Sequence, residues 1–239
     1  MTVTELTNQG SVAVLTLTNG ANKQNPIFAQ ELLAQLKTIE QNPENKALVI
    51  TSDDEKNFSQ GIDVDWLMPA LQNQKHDEVR QFMYDMDEVF KTLLLFPMPV
   101  IAAINGHAFG NGAIMACACD FRFMRADKGF FCFPEVDLSI PFLPGMLAFI
   151  KKAIPAHRMN EMILTGRRLT GNDLAADNIA EQVFADDVTL MDGVMKFAAA
   201  FDKKRPIFAE HKKRMHKSII EVIETENKPL IDNLQLLAQ

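Results

Sequence analysis

The sequence predicts an α/β fold, and three observations carry that prediction. Short apolar runs at residues 12–18, 47–51 and 100–104 read as buried strands. Amphipathic stretches with helical spacing lie between and after them. Strands and helices alternate along the chain, the order expected of sheets covered by helices. At 239 residues the chain suits one domain with an appendage. The expected division is an α/β core over residues 1–188 and a helical C-terminal region over 189–239.

The elements follow in order. In residues 12–18, Val12, Val14, Thr16 and Thr18 share one face, and Ala13, Leu15 and Leu17 share the other. Both faces carry apolar side chains, so both are expected to be covered. Residues 2–8 read as the hairpin partner across Gln9-Gly10. Pro26 suits the first turn of a helix reaching Glu40, with Ile27, Leu32, Leu33 and Leu36 as its core stripe. After the 47–51 strand comes a charged loop, 52–56. Residues 74–96 read as a long helix stopped by Pro97.

Beyond it, 100–104 is a strand, Asn105-Gly106 a turn, and Gly110-Asn111-Gly112 opens a buried helix of small residues, 113–119. Residues 121–124 and 129–133 read as strands. Helices are expected at 146–153, 155–165 (stopped by Gly166) and 172–177, with a strand at 179–184. From Thr189 the chain reads as helical, with breaks near Pro206 and Pro229.

Composition narrows the function classes. Hydrophobic residues at 47% and charged residues at 23% are ordinary for a globular protein. A net charge of -7 argues against generic binding to nucleic acid or anionic membranes. No apolar run reaches the ~18 residues of a membrane span. The first residues lack the pattern of a signal peptide, and the closing Leu-Ala-Gln is not a peroxisomal signal, so a cytoplasmic location is expected. The three cysteines fit neither a disulfide framework nor a metal site and read as small buried side chains. The five histidines show no metal-ligand spacing. His107 reads as a packing residue.

Two segments carry chemistry. The Gly110-Asn111-Gly112 helix start offers unpaired N–H groups at a positive dipole end, which can hold a developing negative charge. Glu135 follows Phe130, Phe131, Phe133 and Pro134, and a carboxylate in that company is a candidate proton carrier with a raised pKa. Read without further context, Glu135 is expected to face solvent or pair with Arg122 or Arg125. The glycine triplet could serve close packing alone, and Asp63 could be a plain N-cap.

Together with Phe58-Ser59-Gln60-Gly61-Ile62-Asp63, these segments resemble the crotonase (enoyl-CoA hydratase/isomerase) superfamily. The run Asn105-Gly106-His107-Ala108, with 123–129 and Glu135-Val136-Asp137, is most similar to the monofunctional delta-3,delta-2-enoyl-CoA isomerases. The resemblance implies a spiral of strand-strand-helix turns with helical C-terminal packing into homotrimers or hexamers. It implies an acyl-CoA thioester substrate of fatty acid metabolism and no cofactor beyond the coenzyme A of that substrate. It assigns Glu135 as the catalytic carboxylate, with the backbone N–H groups of Ile62 and Asn111 as the oxyanion hole. Gln60, Gly61, Asp63, Gly110 and Pro134 are then expected to shape the substrate site. Lys217, in the basic run with Lys212, Lys213 and Arg214, is the candidate for the coenzyme A phosphates. The phenylalanines are expected to serve both as core and as a water-excluding wall at Glu135.

One absence separates the reactions. Hydratases of the family carry a second glutamate where this chain has Ile114. Adding water needs one group to activate water and another to protonate carbon. Moving a double bond needs one base that takes a proton from C2 and returns it to C4. The lone Glu135 thus favours isomerisation of 3-enoyl-CoA to trans-2-enoyl-CoA. A hydratase, a thioester hydrolase and a non-catalytic acyl-CoA-binding protein stay open as alternatives, the last because Ile114 and Asn111 both depart from the hydratase pattern.

Overall fold

The computed structural model describes residues 2–237; Met1 and residues 238–239, and with them part of the reading of the termini, lie outside the described residues. The first strands, β1 (Thr4–Gln9) and β2 (Val12–Leu17), form the expected hairpin. β3 (Lys23–Gln24) leads into helix α1 (Pro26–Gln41), capped by the Asn25 side chain, which accepts from Phe28 N–H at 3.2 Å. Its core stripe is Phe28, Leu32, Leu36 and Ile39, whereas Ile27 is exposed and Leu33 half-buried. The expected stripe was therefore rotated toward solvent on one side, because Phe28 takes the inward position next to the cap.

Next come β4 (Ala47–Ser52), β5 (Asn57–Ser59), β6 (Gly61–Ile62), α2 (Val64–Gln72) and α3 (His76–Leu95). Helix α2 extends well beyond the helix start expected at Asp63-Val64, and α3 is the expected long helix. Then follow β7 (Val100–Ile104), β8 (His107–Phe109), α4 (Asn111–Ala118), β9 (Phe121–Arg125), β10 (Phe131–Cys132) and the one-turn α5 (Glu135–Leu138). The remainder is α6 (Pro144–Ala153), α7 (Ala156–Thr165), α8 (Gly171–Ala176), β11 (Gln182–Phe184), α9 (Asp187–Ala199), α10 (Arg205–Met215), α11 (Lys217–Val222), a π-helical stretch (Ile223–Asn227) and α12 (Lys228–Asp232).

A six-stranded sheet of order β1-β2-β4-β7-β9-β11 is parallel throughout except for the β1–β2 hairpin. After β2, β4, β7 and β9 the chain crosses to a small second layer of strands, β10-β8-β5 or β3-β6, and then enters a helix. That repeat of long strand, short strand and helix is the spiral that the crotonase resemblance implies.

The two sheet faces are both covered, as the double-sided apolar pattern of residues 12–18 predicts. Val12, Val14, Ala47, Val49, Ile101 and Ala103 pack against Leu190, Val194 and Ala198 of α9. The other face, with Leu15, Leu17, Leu48, Ile50, Ala102 and Ile104, meets α1, α3 and α4 in the main core. Helix α9 thus rests on the core sheet, and the 188/189 division falls inside it. All eight residues of α4 are buried. Their small side chains let a helix lie inside the protein rather than on it.

The break expected near Pro206 falls at 200–204, between α9 and α10, whereas near Pro229 the chain stays helical. Pro206 lies in the first turn of α10, where a missing N–H costs nothing. Pro229 follows the π-helical stretch, whose wider turn spares the carbonyl that a proline ring would strike in a regular helix. Asn227 closes that stretch. It is fully buried; its Oδ1 accepts from Gly145 N–H at 2.8 Å, and its Nδ2 donates to both Asp87 oxygens at 3.0 Å. One side chain thereby ties the C-terminal helices to α3 and α6.

Burial pushes the Asp87 carboxyl up to about 6, against the opposing effect of the Asn227 bond. A carboxyl raised in the folded state holds its proton there more tightly than in the unfolded chain. Its contribution to stability is therefore greatest below about pH 4 and declines as pH rises through about 6. Asp87→Asn should flatten that decline, gaining on the order of 2–3 kcal/mol relative to wild type between acid and neutral pH. Urea midpoints of the two proteins across that range measure the difference.

Candidate active site

The glycine at position 110 sets the geometry. Its φ of 51° and ψ of -121° turn the end of β8 into the start of α4. A Cβ there would stand 2.8 Å from Glu135 Oε1. Glycine therefore serves twice, allowing the left-handed turn and leaving room for the carboxylate. Asn111, the first helical residue, has no positive φ and fits without strain. Its N–H belongs to the first turn, where helix donors have no partner within the helix.

The second donor segment approaches closely. Gly61 has φ 79°, and a Cβ on it would lie 2.7 Å from Phe109 O and 2.9 Å from Asn111 N. No side chain can occupy that gap, so Ile62 is brought beside Asn111. Across the β3–β6 pair, Asp63 N–H donates to Gln24 O at 2.8 Å. Because N–H directions alternate along a strand, the Ile62 N–H faces the opposite way. Ile62 and Asn111 thus lie close together on the cavity wall.

Glu135 opens α5 just after Pro134. Its Oε2 is buried and has no hydrogen-bond partner among the described residues. Burial raises its pKa to about 7, opposed only by its own backbone N–H. Arg122 and Arg125 are engaged elsewhere: Arg122 bonds to carbonyls of Ile179 and Cys119, and Arg125 to Asp127. Neither is the partner that a solvent-facing Glu135 would need.

A cavity of about 400 Å³ joins these groups. Gln60, Ile62, Gly110, Asn111, Pro134 and Glu135 line it, all expected from the sequence. The rest of the wall is largely apolar, including Leu67, Met68, Met83, Leu143 and Met146. Glu135 is the only acid among the described residues of the lining. Ile114 is fully buried in the core. Asp65 pairs with Lys23, and neither it nor Asp137 reaches the wall.

Other expected residues sit differently. Gly61 lies behind the wall, where it sets the spacing. Asp63 occupies the N-cap position of α2 but its side chain makes no capping bond; it accepts from Asn25 Nδ2 at 3.3 Å. Lys217 is 77% exposed, pairs with Glu221 at 3.4 Å and lies outside the cavity of its own chain. Phe131 and Phe133 are core residues packed edge to face at 5.7 Å, and the aromatic ring on the cavity wall is Phe109. The wall formed late in the chain, by Leu236 and Leu237, was also not foreseen. His107 packs as expected, stacked on Phe130 and accepting its N–H at 3.2 Å.

Three polar residues escaped the sequence reading. Gln24 is fully buried and its Oε1 accepts from Asn111 Nδ2 at 2.8 Å, fixing the side chain that replaces glycine. Its only signal was a polar residue immediately before the Asn25-Pro26 cap. Lys23 and Arg168 are the two cations of the lining, and the Arg168 guanidinium lies 5.4 Å from the Phe109 ring centre.

Comparison with known proteins bears on the family and the fold. The enoyl-CoA hydratase/isomerase family pattern matches residues 7–235. The mitochondrial Delta(3,5)-Delta(2,4)-dienoyl-CoA isomerase of Homo sapiens is 30% identical over 82% of this chain. This chain spans 61% of that protein's length. The peroxisomal enoyl-CoA delta isomerase 2 of Arabidopsis thaliana is 32% identical, over 76% of this chain and 77% of its own. The carnitinyl-CoA dehydratase of Escherichia coli (strain K12) is 30% identical over 91% of this chain and 81% of its own. A crystal structure of an enoyl-CoA hydratase/isomerase family protein from Pseudomonas syringae superposes with a TM-score of 0.87 at 17% identity, covering 96% of this chain and 97% of that one. With the family pattern matched over 7–235 and its strand-strand-helix spiral, the chain belongs to the enoyl-CoA hydratase/isomerase family of the crotonase superfamily.

Proposed function

We propose that this protein isomerises 3-enoyl-CoA thioesters to trans-2-enoyl-CoA, with Glu135 as the single proton carrier. The observation that carries the reading is the lone acid of an apolar cavity, set beside two backbone donors. The thioester oxygen accepts from the N–H groups of Ile62 and Asn111. The Glu135 carboxylate takes a proton from C2, and the electron pair moves into a dienolate whose charge rests on that oxygen. Glu135 then returns the proton to C4, and the double bond comes to lie between C2 and C3. One carboxylate suffices because it is regenerated at the end of the sequence.

The pKa of about 7 suits this role, since the group must both accept and release a proton. Hydration would need a second group to activate water, and the buried Ile114 supplies none. Lys23 and Arg168 are the cations available to the phosphates of coenzyme A, with Lys217 available only to a neighbouring subunit. The reading includes a homotrimer or hexamer and no cofactor beyond the substrate's own coenzyme A.

Glu135→Gln should abolish most turnover while leaving binding of a saturated acyl-CoA nearly unchanged. In the wild type, kcat/KM should rise with pH through about 7 as Glu135 loses its proton. Near-normal isomerisation by Glu135→Gln would remove this residue from the mechanism. Assayed side by side, 3-enoyl-CoA isomerisation should far exceed 2-enoyl-CoA hydration; comparable rates would move the reaction to hydration. Asn111→Pro deletes a donor and should lose on the order of 10²–10³ in kcat. Asn111→Gly keeps the donor and should retain activity, at some cost in stability from the unpaired Gln24 Oε1. Circular dichroism of both variants separates lost chemistry from lost fold.

A further inference from the structure

Helix α4 carries the oxyanion donor at one end and an unusual set of cations at the other. The last four carbonyls of a helix have no partner within it. In α4, Met115 O receives Cys119 N–H at 3.3 Å and Ala116 O receives Arg122 Nη1 at 3.5 Å. Lys152 Nζ donates to Cys117 O at 2.8 Å and Ala118 O at 3.3 Å, and continues to Cys119 O at 2.7 Å. The carboxylate nearby, Asp120, is already bonded to Lys212 and to Val100 N–H, each at 2.8 Å. Lys152 therefore spends its donors on the helix end rather than on an acid. With eight residues, α4 places that ammonium roughly 12 Å along the axis from the Asn111 N–H.

We propose that Lys152 is a positioning residue for the oxyanion hole: clamped on three carbonyls at the C-terminal end of α4, it fixes the helix along its axis and offsets its negative end, making the Asn111 N–H a stronger donor to the thioester oxygen. The argument rests on the reading of Asn111 as an oxyanion donor, not on isomerisation. A short helix transmits such an effect well, because both ends lie within one buried, low-dielectric interior. Lys152 also carries α6, which supplies Met146 to the cavity wall, so the same contact sets the distance between donor helix and acyl pocket.

Several groups surround the ammonium. Arg122 comes from β9, Asp120 precedes it, Lys212 and His216 come from α10 and the turn after it, and Cys117 and Cys119 belong to α4 and its cap. Lys152 is half-buried and reaches an outer groove that Lys151 and Glu226 also line. Burial pushes the two thiols up to about 11 and 12 and His216 down to about 4, so none of these three titrates near neutrality. Burial lowers Lys152 to about 8 and also lowers Lys212, which Asp120 opposes.

The test reads the field at the hole without needing turnover. A saturated acyl-CoA labelled with ¹³C at the thioester carbonyl is bound to protein in the Glu135→Gln background, and its infrared difference band is recorded. Lys152→Met should move the band toward its position in free solution, and Lys152→Arg should keep it near wild type. In otherwise native protein, Lys152→Met should lower kcat roughly tenfold with little change in KM, the effect of a charge at a helix terminus. A folded Lys152→Met with an unmoved band overturns the proposal. If that variant does not fold, a pH series on protein retaining Lys152 decides. The band should relax toward its solution position above about pH 8 and hold steady in Lys152→Arg. A constant band in the former, or the same drift in both, overturns the proposal. A missing isomerase activity would leave these measurements intact, and so fails separately.

Discussion

Two stretches of backbone touch at Gly61 and the start of α4, and the site exists because nothing separates them. An added methyl group at Gly61 would meet Phe109 O and Asn111 N at less than 3 Å. Pushing the segments apart by that amount would carry Ile62 away from Asn111 and split the pair of donors. The sheet enforces the contact from behind. β5 pairs with β8, β3 pairs with β6, and the two small sheets hold both loops in register with the large one. The hydrophobic core thus acts as a jig for two N–H groups.

Electrostatics then follow from burial. An acid with a bonded cation beside it would stay ionised and hold a fixed charge, as Asp127 does beside Arg125. Glu135 has no such partner and one oxygen without any hydrogen bond. Its raised pKa is the direct result of an apolar wall on one side and a glycine on the other. Backbone donors, by contrast, cannot lose their charge distribution with pH. On the proposed reading the site pairs one titratable group with two backbone donors whose polarity is permanent.

Much of this was legible in the sequence for definite reasons. Glycine spacing marks places where backbones meet, and Phe58 to Asp63 and Gly110 to Gly112 announced both loops. Glu135 was singled out because the family resemblance places a carboxylate after such an apolar strand and proline; its neighbours alone would have left it a surface acid. The rest depended on contacts that sequence order hides. Gln24 reads as a loop residue until its side chain is seen holding Asn111. The aromatic wall was placed on the phenylalanines nearest Glu135 in sequence, yet strand alternation turns Phe131 and Phe133 into the core and leaves Phe109 at the cavity. The π-helical stretch was invisible because no residue pattern distinguishes a widened turn from a break before Pro229.

Asn227 has a consequence for how the molecule comes into being. The acyl pocket takes part of its wall from Leu236 and Leu237, more than a hundred residues after the donor helix. The segment that carries them is held to the body of the protein by the Asn227 bonds to Gly145 and Asp87. A chain whose final helices have not yet docked could therefore hold the sheet, both loops and the carboxylate while part of the apolar wall was still missing. The last part of that wall would then arrive as one late event, when the final helices dock.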